Sequence, residues 1–269
     1  YYLWIRMGKE FMFNYLKEIV KRKDLLTYLV RSGLKAEHRN SYLGYFWWLL
    51  DPLLMAVVYY FLMVVILQRG GENFIVFLVI GLVAWRWTST VLSTSAKSIT
   101  QYSSIINQVY LPKAIFPMTK TFSQMINFCF GLIVVLIILF INGIIPGWQL
   151  VYLPVIMFIH LMFLLMISLF IGYLNVFVRD IENILQHITR LWFYASPVIW
   201  EGGRLPDHYQ WVVNMNPFAH IVTAYRDILM YKSIPQFTGL LVIGIGSIII
   251  LSGLIYYYSR NEHKIIKAL

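Results

Sequence analysis

Six apolar runs, almost free of charge, divide this chain and constrain it more than anything else does. They lie near residues 46–67, 74–95, 118–141, 150–176, 184–200 and 237–258. A helix crossing a hydrocarbon core of about 30 Å needs about 20 such residues, because it rises only about 1.5 Å per residue. In lipid every backbone N–H and C=O must be satisfied internally, and for single runs this leaves the α-helix. The expected fold is therefore an all-α membrane protein with six transmembrane helices. Composition agrees: 59% of the 269 residues are hydrophobic and 13% are charged, where soluble domains carry about 25% charged residues.

The links between the runs set an orientation. The link at 68–73 is short and contains Gly70-Gly71, and the link at 142–147 carries no charge. Lys97 and Lys113 lie in the link between runs two and three, Arg179 in that between four and five, and Arg260, Lys264 and Lys267 in the tail. Basic links face the cytoplasm, so both termini are expected there, with the segment between runs five and six outside. The expected organisation is an N-terminal arm over 1–45, a transmembrane region over 46–258 and a cytoplasmic tail over 259–269. The formal charge is +10, and nine of the 22 Lys and Arg precede residue 40. A basic flank against anionic membrane lipid explains this excess more simply than nucleic acid does.

The arm reads as an amphipathic interface helix over residues 8–30, followed by a break containing Gly33. Met12, Tyr15, Leu16 and Ile19 share one side, while Asn14, Lys17, Glu18 and Lys21 face away. Next comes Ser41-Tyr-Leu-Gly-Tyr-Phe-Trp-Trp-Leu-Leu-Asp-Pro-Leu-Leu54. Asn40 or Ser41 can cap a starting helix, and Trp47 and Trp48 suit a headgroup boundary.

Several chemistries are excluded. No G-x-x-x-x-G-K-[ST] loop is present, so the chain cradles no ATP phosphates itself. The six histidines are scattered without metal-ligand spacing, and Cys129 is the only cysteine, so neither a metal site nor an intramolecular disulfide is expected. No cleavable signal pattern is expected, and the initiator Met is expected upstream of Tyr1 or near Met7.

One charge falls inside a run. Arg86 stands between Trp85 and Trp87, about 12 residues or ~18 Å into run two. A cation at that depth costs about 2.5 kcal/mol or more and faces a bundle interior or water. Arginine is also a good phosphate ligand. Two readings stay open: contact with a substrate phosphate on a pathway, or a structural ion pair or carbonyl contact. His160 and Asn175 read as interhelical hydrogen-bonding groups. Tyr59, Tyr60, Trp85, Trp87, Phe193 and Tyr194 also fall within runs; ring faces of this kind can stack on sugars, or simply pack.

Two motifs carry a family resemblance. Ser41, Tyr42, Leu43, Gly44, Trp47, Leu49, Leu50, Pro52, Leu53 and Leu54 form the pattern S-Y-L-G-x-x-W-x-L-L-x-P-L-L. Val178-Arg-Asp begins a second stretch, which finishes as Phe-Tyr-Ala-Ser-Pro-Val-Ile-Trp200. Both resemble the polysaccharide-export permeases, the membrane subunits of ATP-binding-cassette exporters. Within that family the chain is most similar to the permeases that translocate wall teichoic acid. O-antigen and capsular polysaccharide permeases share the first motif.

The resemblance implies a homodimer with six spans per subunit, bound to two copies of a separate ATPase that holds ATP and Mg. It implies export of an undecaprenyl-diphosphate-linked polymer to the outer leaflet of a bacterial plasma membrane. It implies a coupling helix in the 97–113 link, where Thr100, Gln101, Tyr102, Ser103 and Asn107 stand, with Arg179, Asp180 and Glu182 in the second contact with the ATPase. It also implies external re-entrant helices that include Asn216, Pro217, Tyr225 and Arg226. Arg86 is not part of the family pattern. Pro197 would end the fifth helix and free carbonyls that need partners.

Two rival functions are weighed. A membrane-embedded glycan or acyl transferase needs clustered carboxylates and histidines, whereas Asp51, Asp180, Glu182, Glu201, Asp207 and Asp227 divide between both faces. A drug or lipid exporter of the same architecture differs in what stimulates its ATPase.

Overall fold

The computed structural model describes residues 2–37, 41–68, 70–106 and 110–269. Two helices open the chain, α1 (Tyr2–Lys21) and α2 (Lys23–Glu37). The arm is thus broken at Arg22, and Gly33 lies inside α2 rather than in a break. A side chain there would lie 3.9 Å from Ser123 Oγ, so α2 is seated closely on the neighbouring helix. Tyr15 and Ile19 are buried, as the spacing predicts, but against the chain's own 110–116 segment and last helix; Phe13, Val20 and Tyr28 remain exposed to serve an interface.

A 3-10 turn over Gly44–Phe46, with Gly44 at φ +48°, leads into α3 (Trp47–Tyr60). Neither Ser41 nor any other side chain caps α3, and Asn40 lies outside the described residues. Trp48 is buried with its ring 4.9 Å from Phe130, so it is a packing residue rather than a boundary anchor. The helix continues as a π-helical turn, Phe61–Ile66. After it come α4 (Phe74–Ala96), a short piece made of Thr100–Tyr102 and α5 (Ser103–Ile106), α6 (Ile115–Ile141) and α7 (Leu153–Phe177). Then α8 (Ile181–Ala195), α9 (Gln210–Asn214), α10 (Pro217–Leu229) and α11 (Phe237–Ala268) complete the chain. No strand occurs among the described residues.

Among the described residues, five helices are long and apolar enough to cross a membrane, within Trp47–Ile66, Phe74–Ala96, Ile115–Ile141, Trp148–Phe177 and Phe237–Ala268. The remaining expected span, the fifth, does not meet that standard. In place of 184–200 stands α8, with 15 residues, or about 22 Å at 1.5 Å per residue. Its first ten residues carry Glu182, His187 and Arg190. Ser196 is extended (φ −99°, ψ 145°), as a residue before proline must be, and Pro197 turns the chain away. α11 runs unbroken through the expected 258/259 boundary to Ala268.

α4 is apolar all round over its first half and forms the hub; apart from Ile75 every residue from Phe74 to Trp85 is buried, among α3, α6, α7, α8 and α10. Contacts fix the two ends of the bundle. At one end Lys97 meets Glu182 and Tyr15 meets Glu262. At the other, Gln149 Nε2 donates to the Lys232 carbonyl at 2.5 Å and Tyr152 packs on Phe237. The basic links therefore share one end, in agreement with the charge pattern.

Candidate functional site

A cleft of about 370 Å³ opens between α3, α4 and α8. Each helix contributes one face at a spacing of three or four residues: Asp51, Met55 and Tyr59 from α3, Leu82, Trp85, Arg86 and Ser89 from α4, and Gln186, Thr189, Arg190 and Phe193 from α8. A second cleft of about 360 Å³ continues it toward the basic end, sharing Ser89, Gln186, Thr189 and Arg190 and adding Thr90, Ser93 and Glu182. A third, lined by Lys97, Thr100, Gln101, Ser103, Asn175 and Arg179, begins at Glu182. Together they make a polar groove along one wall of the hub.

Arg86 Nη2 donates to Asp51 Oδ2 at 2.5 Å. Arg86 is thus ion-paired, as the structural reading has it, and it also lines the cleft. Tyr59, Trp85, Phe193 and Tyr194 surround it as expected, with ring centroids 5.5 Å apart for Tyr59–Phe193 and Trp85–Phe193 and 5.2 Å for Phe193–Tyr194. Two expected pathway residues are elsewhere. Trp87 points away from the cleft, buried at 4.6 Å from Phe128 and 4.4 Å from His160. Tyr60 is exposed and does not line the cleft. A helix turns about 100° per residue, so residues two apart, such as Trp85 and Trp87, fall on nearly opposite sides of it. Asp51, Ser89, Gln186, Thr189 and Arg190 were missed, although the polar repeat Glu182, Gln186, Thr189 on α8 was a visible signal.

The motif around Pro197 forms a joint. The Arg226 guanidinium donates to the carbonyls of Pro197 (2.5 Å), Val198 (2.8 Å) and Phe77 (3.2 Å) and lies 3.4 Å over the Phe77 ring. These are the partners that a proline break in lipid requires. Asn216 caps α10 by accepting from the Phe218 N–H at 3.1 Å, accepts from Trp192 Nε1 at 2.9 Å, and donates to Ser196 Oγ at 2.8 Å. Pro217 opens α10, and Tyr225 is fully buried within it. Gly81 makes the joint possible: a side chain there would meet Arg226 Nη2 at 2.5 Å and the Val198 carbonyl at 2.7 Å. Gly81→Ala is expected to cost about 1–3 kcal/mol by overpacking, read as a lowered thermal midpoint of the detergent-purified protein, while Gly71→Ala, with open space around it, leaves that midpoint in place.

The two basic links converge. Lys97 Nζ lies 2.5 Å from Glu182 Oε1, joining the 97–106 piece to the start of α8. Arg179 and Asp180 form no ion pair with each other among the described residues; Asp180 stands at the N-terminal cap position of α8 without a side-chain bond. Tyr102 stacks on Phe116 at 4.9 Å, and Asn107 lies outside the described residues. His160 fills its structural role, with Nε2 2.9 Å from Thr88 Oγ1. Asn175 Oδ1 is buried without a hydrogen-bond partner, so Asn175 does not act as the expected acceptor between helices. Among the described residues no group of three or more His, Cys, Asp and Glu is placed to hold a metal ion.

The chain was compared with known proteins. It is 29% identical over 242 residues, 89% of its own length and 93% of the relative's, to the O-antigen export system permease protein RfbA of Myxococcus xanthus. Two Klebsiella pneumoniae proteins of the same description are 29% and 27% identical over 231 residues, 83% of this chain and 89% of theirs. A sequence model of the ABC-2 type transporter family matches residues 24–230, which hold the cleft, the joint and both basic links, and the chain belongs to that family.

Proposed function

We propose that this protein is the membrane subunit of an ATP-driven exporter that moves a lipid-linked polysaccharide of the O-antigen class out of the cytoplasm. The observation that carries this reading is the cleft, in which a deep arginine stands among four aromatic rings and a strip of Ser, Thr and Gln. Ring faces hold sugars without demanding one sugar order, and the arginines suit the phosphate of a lipid carrier. The names of the relatives favour O-antigen over the wall teichoic acid expected from the motifs. Teichoic acid is the second reading, kept by Arg86 and Arg190 in one cleft, which suit a polyanion.

ATP and Mg belong to a separate ATPase, two copies of which would dock on 97–106 and 178–182 of a homodimer. The exposed apolar faces of α3 (Leu54, Val58), the turn that continues it (Phe61) and α8 (Ile184, Ile188, Leu191) flank the cleft, where a second copy would close it. Both termini would face the cytoplasm, and α9 and α10 would enter the outer leaflet without crossing it.

The test uses the full chain with its ATPase in proteoliposomes. A lipid-linked glycan is expected to stimulate ATP hydrolysis, and Arg86→Gln to weaken that stimulation at least about tenfold, the equivalent of one lost charge-assisted contact of about 1.5–3 kcal/mol. O-antigen and teichoic acid carriers, compared side by side, separate the two polymers. A chain that binds no ATPase, or that alone transfers sugar between lipid carriers, would overturn the reading.

A further inference from the structure

Arg86 does not meet the cleft as a bare cation. Its Nη2 is held by Asp51 at 2.5 Å, yet both side chains keep over a third of their surface open, 38% and 36%. A cation buried only for structure looks different in this protein: Arg226 is 3% exposed and gives its N–H groups to backbone carbonyls. The carboxylate of Asp51 takes one Nη nitrogen of Arg86, which still lines the cleft. Arg190 lines the same cleft and has no carboxylate within ion-pairing distance among the described residues. The cleft at Arg86 is therefore cationic overall, with one internal anion seated on its deepest cation. Asp51 also rides on a lightly anchored wall. Among the residues of α3 only Trp48, Pro52 and Ala56 are buried, and Pro52, next in sequence, removes a backbone hydrogen bond from that turn.

We propose that Asp51 is an internal competitor for the substrate's phosphate. It occupies Arg86 while the cleft is empty and yields to a lipid phosphate or diphosphate, whose greater charge and bidentate geometry suit the guanidinium better. An uncharged polyprenol cannot displace it, so Asp51 makes the cleft selective for charge and keeps Arg86 neutralised between substrates. This rests on the reading of the cleft as the substrate route.

The test is equilibrium binding to the full chain in phosphatidylcholine nanodiscs, with polyprenyl diphosphate, polyprenol and phosphatidylglycerol as probes. Asp51→Asn is expected to tighten diphosphate binding about tenfold, the factor by which a competitor present about nine-tenths of the time masks a site. Asp51→Glu is expected to bind as the parent does, and Arg86→Gln more weakly. Tightening confined to the diphosphate supports the proposal. Unchanged or weaker binding by Asp51→Asn, with binding still lost in Arg86→Gln, overturns the competitor while the cleft stands as the route. Full binding by Arg86→Gln overturns both. Equal tightening for polyprenol would assign the effect to shape, and equal tightening for phosphatidylglycerol would assign the occupant to bulk lipid; either overturns the proposal. Should Asp51→Asn fold poorly, Asp51→Ser carries the same test, and the ratio of diphosphate to polyprenol affinity within one variant does not depend on the folded fraction.

Discussion

Replacing Arg226 with leucine is expected to destabilise the protein by about 3 kcal/mol or more, since each buried carbonyl left without a donor costs about 1–3 kcal/mol. Three carbonyls depend on this side chain, those of Phe77, Pro197 and Val198. The bend at Ser196–Pro197 has no helical donors of its own, and the site is sealed: Val198, Phe77 and Arg226 are all buried. The planar guanidinium also stacks at 3.4 Å on Phe77, which a leucine cannot replace in kind. Lysine presents a point charge with no planar fork, so Arg226→Lys should recover only part of the loss. Thermal unfolding of the purified protein checks this. An unchanged midpoint for Arg226→Leu would mean that the bend finds other donors, and the joint would lose its explanation.

Glu262→Ala is expected to cost about 3–5 kcal/mol, the range for removing one partner of a buried charge pair. Glu262 Oε1 accepts from Tyr15 Oη at 2.8 Å and from the Lys113 backbone N–H at 2.9 Å, and Oε2 lies 3.9 Å from Lys113 Nζ. Lys113 is fully buried. Burial pushes its ammonium below the usual lysine range while Glu262 pulls it back up. Without that carboxylate the lysine keeps the cost of burial and loses the compensation. The same carboxylate ties α1 to α11 and to the segment that follows the 97–106 piece. Glu262→Ala should therefore also expose α1 to protease, and Tyr15→Phe, which removes one hydrogen bond, should cost about 1 kcal/mol. Equal effects of the two substitutions would show that the charge on Lys113 contributes nothing.

The four spans before α8 and the last one were legible because their cause is local. A bilayer of fixed thickness demands a fixed length of apolar chain, and α4, for example, begins at Phe74 where 74 was expected. That the basic links gather at one end was legible for the same reason, since Lys97 and Arg179 mark those links by charge alone. In place of the fifth expected run, 184–200, stands a 15-residue helix that ends at Ala195; hydropathy cannot see where a chain turns. Residues 197–200 are apolar, yet the chain leaves the helix at Pro197, and what makes the turn tolerable is Arg226, about thirty residues later in sequence.

The cleft divides in the same way. That Arg86 had to meet a partner, a carbonyl or water followed from its depth, and that Pro197 needed outside donors followed from its ring. Which groups answer was decided by packing: Asp51 is 35 residues from Arg86 and reaches it only because α3 lies against α4. Trp85 and Trp87 are alike in sequence and opposite in place, because the helical turn sends one to the cleft and the other to Phe128 and His160. The sequence by itself determined what must be buried, what must be satisfied and which end is basic, since those costs belong to single residues in a given solvent. The tertiary structure alone decided which donor meets which acceptor and which rings share a wall, since those depend on distances between helices that no local pattern contains.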